Sequence, residues 1–178
     1  MSLKPAVSNR DHITGNANAA VELVEYGDYQ CPHCGHAHPI IKSILQTIGK
    51  DIKFVFRNFP LQEMHPDAVT AAVSTEAAAL QDKYWEMHDT VFEHQNHLSA
   101  NHLFQYAEQT GLGMQQFATD IQKDELLDKV QNDFESGVRS GVNGTPTFFI
   151  NGVKYNGSWE KEDFLPHLQG IINAAKHK

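Results

Sequence analysis

Cysteine is scarce in this chain: its 178 residues hold two, Cys31 and Cys34, in one Cys-Pro-His-Cys tetrapeptide. No distant cysteine exists to pair with either, so a disulfide scaffold stapling separate loops is excluded. The same count excludes a four-cysteine zinc site. Basic residues are also few: Lys plus Arg is 14 against 22 Asp plus Glu, a formal net charge of -8. A sequence-independent nucleic-acid binder needs a basic surface to neutralise phosphates, and this balance argues against one. No apolar run approaches the roughly 18–20 residues of a membrane span. No apolar segment follows a basic start in the polar N-terminal stretch, so no secretory signal is expected. That leaves a cytoplasmic protein, or a periplasmic or otherwise extracytoplasmic one whose signal has been removed. Repeats and low-complexity tracts are missing too. What is present is a composition of 40% hydrophobic and 20% charged residues, enough for a packed core of one domain, or one domain with an insert.

Hydrophobic spacing divides the chain into three parts. Val21-Glu22-Leu23-Val24-Glu25-Tyr26 is rich in β-branched and aromatic residues and reads as a strand. After the loop Gly27-Asp28-Tyr29-Gln30, residues Ile40, Ile41, Ile44, Leu45 and Ile48 recur at helical spacing. Gly49 marks the helix end, and Ile52 to Phe59 alternates as a second strand. Strand–helix–strand order implies a parallel pair joined by a crossover helix. Residues 66–140 read as a helical block, with the Ala-rich run Asp67 to Leu80 and an amphipathic helix over Asp124 to Ser140. Then Thr145 to Ile150 is a strand, Asn151-Gly152 a hairpin turn, Val153-Lys154-Tyr155 the return strand, and about Glu160 to Ala175 a last helix. Residues 1–20 form an N-terminal extension, with Thr14 to Ala17 a loop. The expected class is α/β: a mixed sheet flanked by helices, built from 21–65 and 141–178, and interrupted by an all-helical insert, 66–140.

A Cys-x-x-Cys pair that follows a strand and opens a helix carries redox chemistry. Cys31 falls at the helix N-terminus, where unpaired backbone N–H groups and the helix dipole favour an anion. That lowers its pKa and makes its thiolate the attacking species. Cys34, one turn in, is expected to be more buried and to resolve the mixed disulfide formed at Cys31. His33, when protonated, adds positive charge beside Cys31. Stabilising the reduced thiolate makes the disulfide a stronger oxidant.

Cys31-Pro32-His33-Cys34 resembles the active site of DsbA-like thiol–disulfide oxidoreductases of the thioredoxin superfamily, and the resemblance runs from about Val21 to about Ala175. It implies a thioredoxin-like fold with an inserted helical subdomain. Thr145-Pro146 looks like the superfamily's cis-proline loop, which faces the dithiol and binds substrate peptide in strand fashion. Pro39 matches the proline that kinks the active-site helix. Glu25 matches a buried acid beneath the dithiol that shuttles the Cys34 proton, and Lys53 is placed like its basic partner. Thr145 stands where periplasmic DsbA usually has valine. Tyr26 to Cys31 and Gly144 to Gly152 look closer to a branch with stand-alone domains and domains fused to sodium/proton antiporters, some of them cytoplasmic. The function implied is dithiol–disulfide exchange with protein or peptide substrates, Cys31 being the nucleophile. Electrons pass to or from a redox partner, a membrane oxidase or a soluble thiol system. No organic or metal cofactor is implied, because the redox group is the cysteine pair itself.

Other readings stand beside this one. A Cys-x-x-Cys pair is also half a metal site. Cys34 and His38 share a helix face, and two thiolates with the imidazoles of His36 or His38 suit zinc or copper. A metal- or peptide-binding module on the same fold, or a glutathione-dependent enzyme, are the alternatives. The redox reading is preferred because it explains Pro39, Pro146 and Glu25. On it, His36 and His38 are surface helix residues, Trp85, Phe92, Phe104 and Phe117 are core of the helical insert, and Arg57 is structural or solvated.

Overall fold

A computed structural model describes residues 1–177. The chain runs β1 (His12–Gly15), β2 (Val21–Gly27), α1 (Pro32–Ile48), a 3-10 turn, β3 (Ile52–Asn58), α2 (Ala68–Ala79), α3 (Tyr84–Glu93), α4 (Ala100–Gln109), α5 (Met114–Asp120), α6 (Asp124–Arg139), β4 (Thr147–Ile150), β5 (Val153–Lys154) and α7 (Lys161–Lys176). The strands form one sheet in the order β1-β3-β2-β4-β5. β2 and β3 are parallel and joined by α1; β2–β4, β1–β3 and β4–β5 are antiparallel. The expected mixed sheet with a helical insert between β3 and β4 is therefore what forms. No described helix is long and apolar enough to cross a membrane.

Both faces of the sheet are covered, so its central strands are buried throughout rather than alternately. Val21, Leu23, Phe54, Phe56 and Phe148 pack in one cluster with Ile41 and Ile44 of α1, Phe164 and Leu168 of α7, and Met87 and Val91 of the insert. Val24, Tyr26, Val55 and Phe149 face the other way, against Leu3, Phe59 and Val142. The period of two places Glu25 on the same face as Val21 and Leu23, beneath α1. Within the insert, α2 is buried on nearly all sides. Its small alanines let α3 and α6 approach closely. Phe92 and Phe117 lie in the core as expected, with Trp85 and Phe104 packed against it.

One local expectation is corrected and one is narrowed. Of the expected loop Thr14 to Ala17, Thr14 and Gly15 instead end an edge strand, His12–Gly15, that pairs with β3, while Asn16 and Ala17 lie outside it; four residues ending in glycine give too short a pattern to distinguish from a loop. Of the two readings of Arg57, structural or solvated, the structural one holds. Arg57 is 2% exposed, donates to Asp11 at 2.7 and 3.0 Å and to the Tyr26 hydroxyl at 3.0 Å, and ties the first residues to the sheet.

Candidate functional site

The dithiol sits where β2 hands over to α1. Cys31 is the N-cap of α1, with extended backbone (φ -72°, ψ 122°), and Pro32 occupies the first turn, where its missing N–H costs nothing. The Cys31 carbonyl accepts from Gly35 at 3.0 Å and its N–H donates to the Asp28 carbonyl at 3.1 Å. The Cys31 thiol is therefore fixed at the positive end of the helix. Cys34, one turn on, is wholly buried, while Cys31 is 5% exposed.

The Thr145–Pro146 peptide is cis, and it brings the loop before β4 against the dithiol. Cys31 Sγ donates to the Thr145 carbonyl at 3.4 Å. The Thr145 hydroxyl is buried and has no hydrogen-bond partner among the described residues, and its side chain favours the Cys31 thiolate. It is available to donate once Cys31 is a thiolate.

The two thiols are driven apart electrostatically. Cys31 falls to about 5: the Cys34 thiol stabilises its thiolate, as do the Thr145 side chain and the Cys34 and His33 backbone amides, against the opposing effect of burial. Cys34 rises well above the ordinary thiol value, from burial first, then from the Cys31 and Glu25 charges. Glu25 rises to about 8, from burial and the nearby Cys31 charge. Such opposed shifts among neighbouring groups mark a site arranged for proton and nucleophile chemistry.

The sequence-predicted residues separate at this point. Cys31, Cys34, Glu25, Thr145 and Pro146 come together. His33 and Pro32 are exposed on the first turn of α1, and the His33 contribution to the thiolate comes through its backbone amide. Lys53 is not the partner of Glu25: it pairs with Glu22 at 2.6 Å. The parallel register sets Lys53 beside Glu22 and Phe56 beside Glu25, three residues or roughly 10 Å further along the strand. Pro39 lies inside α1. His36 is exposed and meets Glu160 at 3.2 Å. His38 is not a surface residue: it is buried, bonds Asp89 at 2.9 Å and stacks on Phe92, so it turns toward the insert rather than joining the thiols.

Asp28 and Gln95 organise the site without a sequence signal that marked them. The buried Asp28 carboxylate accepts from the Gln30 and Leu61 amides at 2.7 and 2.8 Å and from His65 at 2.8 Å. Its own N–H donates to Cys34 Sγ at 3.4 Å. Gln95, just past α3, donates to the Tyr29 and Cys31 carbonyls at 2.9 and 2.7 Å. A side chain at Gly35 would collide with this amide, which explains a glycine directly after the second cysteine. The one available clue was the polar loop Gly27-Asp28-Tyr29-Gln30, since loop aspartates often cap neighbouring amides.

Comparisons agree with this geometry. A family model described as thioredoxin matches residues 8–169. The chain is 38% identical over 169 residues to the Na(+)/H(+) antiporter NhaA 1 of Mycolicibacterium vanbaalenii, a match covering 94% of this chain and 27% of that protein. The chain thus spans about a quarter of the length of the curated relatives it matches. Among solved structures it is similar to a thioredoxin-like oxidoreductase from Silicibacter pomeroyi, with a TM-score of 0.82 at 23% identity over 96% of this chain and 95% of the other. It is also similar to the thiol-disulfide exchange protein alpha-DsbA2 from Wolbachia pipientis, with a TM-score of 0.81 at 24% identity over 94% and 88%. At these identities the structural likeness establishes the fold.

Proposed function

The chain belongs to the thioredoxin family, and on that premise we propose that it is a DsbA-like protein thiol–disulfide oxidoreductase working through Cys31 and Cys34. The observation that carries the reading is the placement of the two thiols: Cys31 caps α1 beside the Thr145 carbonyl at 3.4 Å, and Cys34 is wholly buried one turn on, a setting that lowers the first thiol and raises the second. A substrate thiolate attacks Cys31 Sγ of the Cys31–Cys34 disulfide. The S–S bond breaks, a mixed disulfide forms at Cys31, and Cys34 leaves as a thiolate. Glu25, held protonated by burial up to about pH 8, gives that thiolate its proton. The substrate's second thiolate then attacks its own sulfur in the mixed disulfide and releases Cys31 as a stabilised thiolate. Two electrons have passed from substrate to protein. In the reverse direction Cys34, deprotonated by Glu25, attacks the mixed disulfide.

The tuning favours the oxidising direction. At neutral pH Cys31 gains the charged form, while Cys34 is protonated with or without its upward shift, so the reduced pair is stabilised and the disulfide made more oxidising. Pro146 and the Thr145 backbone border Cys31 and form the edge on which an extended protein or peptide substrate pairs. The electrons are carried by the cysteine pair itself, without an organic or metal cofactor, and a membrane oxidase or a soluble thiol system resets it.

The test is thiol exchange with Cys31→Ser and Cys34→Ser. The first is expected to be inactive and the second to accumulate mixed disulfides with protein substrates. Equal activity in both variants and the parent would sink the proposal.

A further inference from the structure

Away from the dithiol, two histidines and an aspartate meet where α1 packs on α3. The ligating atoms of His38, His88 and Asp89 all lie within 4.8 Å of one another. We propose that these three residues form a divalent transition-metal site, with zinc the ion that the donor set fits, independent of the redox cysteines and of the reaction assigned to them.

Two imidazoles and one carboxylate are a common zinc set that leaves a fourth position for water. The three side chains line a cavity of about 310 Å³ together with Lys42 and Trp85, so an ion has a way in and water has room. The site is also oriented from behind. The Tyr29 hydroxyl takes His88 Nδ1 at 2.9 Å, which leaves Nε2 to ligate and supplies the outer hydrogen bond typical of metal-bound histidines. His38 is stacked on Phe92 with ring centroids 5.0 Å apart. His38 Nε2 and Asp89 Oδ1 are 2.9 Å apart, close to the roughly 3.3 Å between ligands around tetrahedral zinc with bonds near 2.0 Å. An ion there replaces the proton these atoms share. Lys42 is the competitor: it holds Asp89 Oδ2 at 2.9 Å. It holds Glu93 at 2.9 Å as well, so it keeps a partner when a metal claims Asp89. Occupancy would tie the helix that carries the dithiol to the insert.

The test uses the whole chain with the Cys31–Cys34 disulfide formed, so that neither sulfur is available as a thiolate ligand. Calorimetric titration with zinc chloride is expected to give one ion per chain. Cobalt(II) is expected to give the visible absorption of a nitrogen and oxygen site without a thiolate charge-transfer band. Asp89→Asn changes a side chain that is 37% exposed, and the variant is checked for folding by circular dichroism. It should bind zinc at least about tenfold more weakly. Lys42→Met, which removes the competing cation, should bind several-fold more tightly, a gain that a histidine cluster elsewhere on the surface would not show. The proposal is overturned if the oxidised protein takes up no zinc, or if Asp89→Asn and Lys42→Met bind it as the parent does.

Discussion

Glu25 and Glu76 are buried to nearly the same degree, 3% and 4% exposed, and behave in opposite ways. Glu76 lies in a polar seam between the sheet, α2 and α6. Burial pushes its carboxyl up, but His12 at 2.7 Å, Lys129 at 3.7 Å and the Asn58 amide at 2.9 Å outweigh that and hold it below the usual value. Glu25, beneath the dithiol, has no hydrogen-bond or ion-pair partner among the described residues, and burial with the Cys31 charge carries it to about 8. Burial alone therefore does not make an acid functional. Withholding a partner does, because only then is the proton held near neutral pH and available to a neighbour.

The largest effect that sharpens this contrast is expected at the structural acid. Glu76→Ala takes the acceptor from half-buried His12, one of two acceptors from the buried Asn58 amide and one of two carboxylates from Lys129, which keeps Asp133 at 2.7 Å, and should cost about 3–5 kcal/mol of stability, read by denaturant unfolding at pH 7. Because the folded-state value of Glu76 is lowered from 4.5, its stabilisation is present above 4.5 and lost as pH falls through that lower value. The gap between variant and parent should close in acid. Exchange by the folded fraction should persist.

At the functional acid the sign reverses. Glu25→Gln should stabilise the protein by about 2–4 kcal/mol at pH 8 while slowing the step that moves the Cys34 proton. Its folded-state value is raised from 4.5 to about 8, so the cost of burying the acid is absent below 4.5 and grows as pH rises to the folded value. The gain should vanish near pH 4. A variant destabilised at pH 8 would break the comparison.

A smaller effect is expected at Thr145. Thr145→Val removes the hydroxyl beside Cys31 and should raise the Cys31 value by up to about one unit, seen as a rightward shift in the pH dependence of alkylation. Smallest is Lys53→Met. Because Lys53 pairs with Glu22, its loss should cost less than about 1 kcal/mol and leave the pH profile of exchange unchanged. A shifted profile would restore Lys53 as the partner of Glu25.

What the sequence made legible was local. A β-branched run, a Cys-x-x-Cys pair at the following helix start, helical spacing over Ile40 to Ile48 and the change of pattern at Thr145 are near-neighbour signals, and they located β2, α1, the insert and β4. Resemblance supplied the cis-proline loop and the acid at Glu25. What escaped was set by contacts between distant segments. Strand register decides that Lys53 meets Glu22, and composition carries no register. The inward turn of His38 depends on α3 packing against α1, and the grip of Gln95 on the Cys31 carbonyl joins segments that no spacing rule connects. The Asp28 bonds to Leu61 and His65 close a loop only after β3 has been laid beside β2.

The asymmetry of the dithiol is tested most directly by titrating the thiolate absorbance of the fully reduced protein from pH 3 to pH 10, with site-resolved alkylation at each pH. A single thiolate, Cys31, should form with a midpoint near pH 5, and Cys34 should ionise only above the ordinary thiol range. Both thiols titrating together near the ordinary value of about 8.5 would contradict the reading.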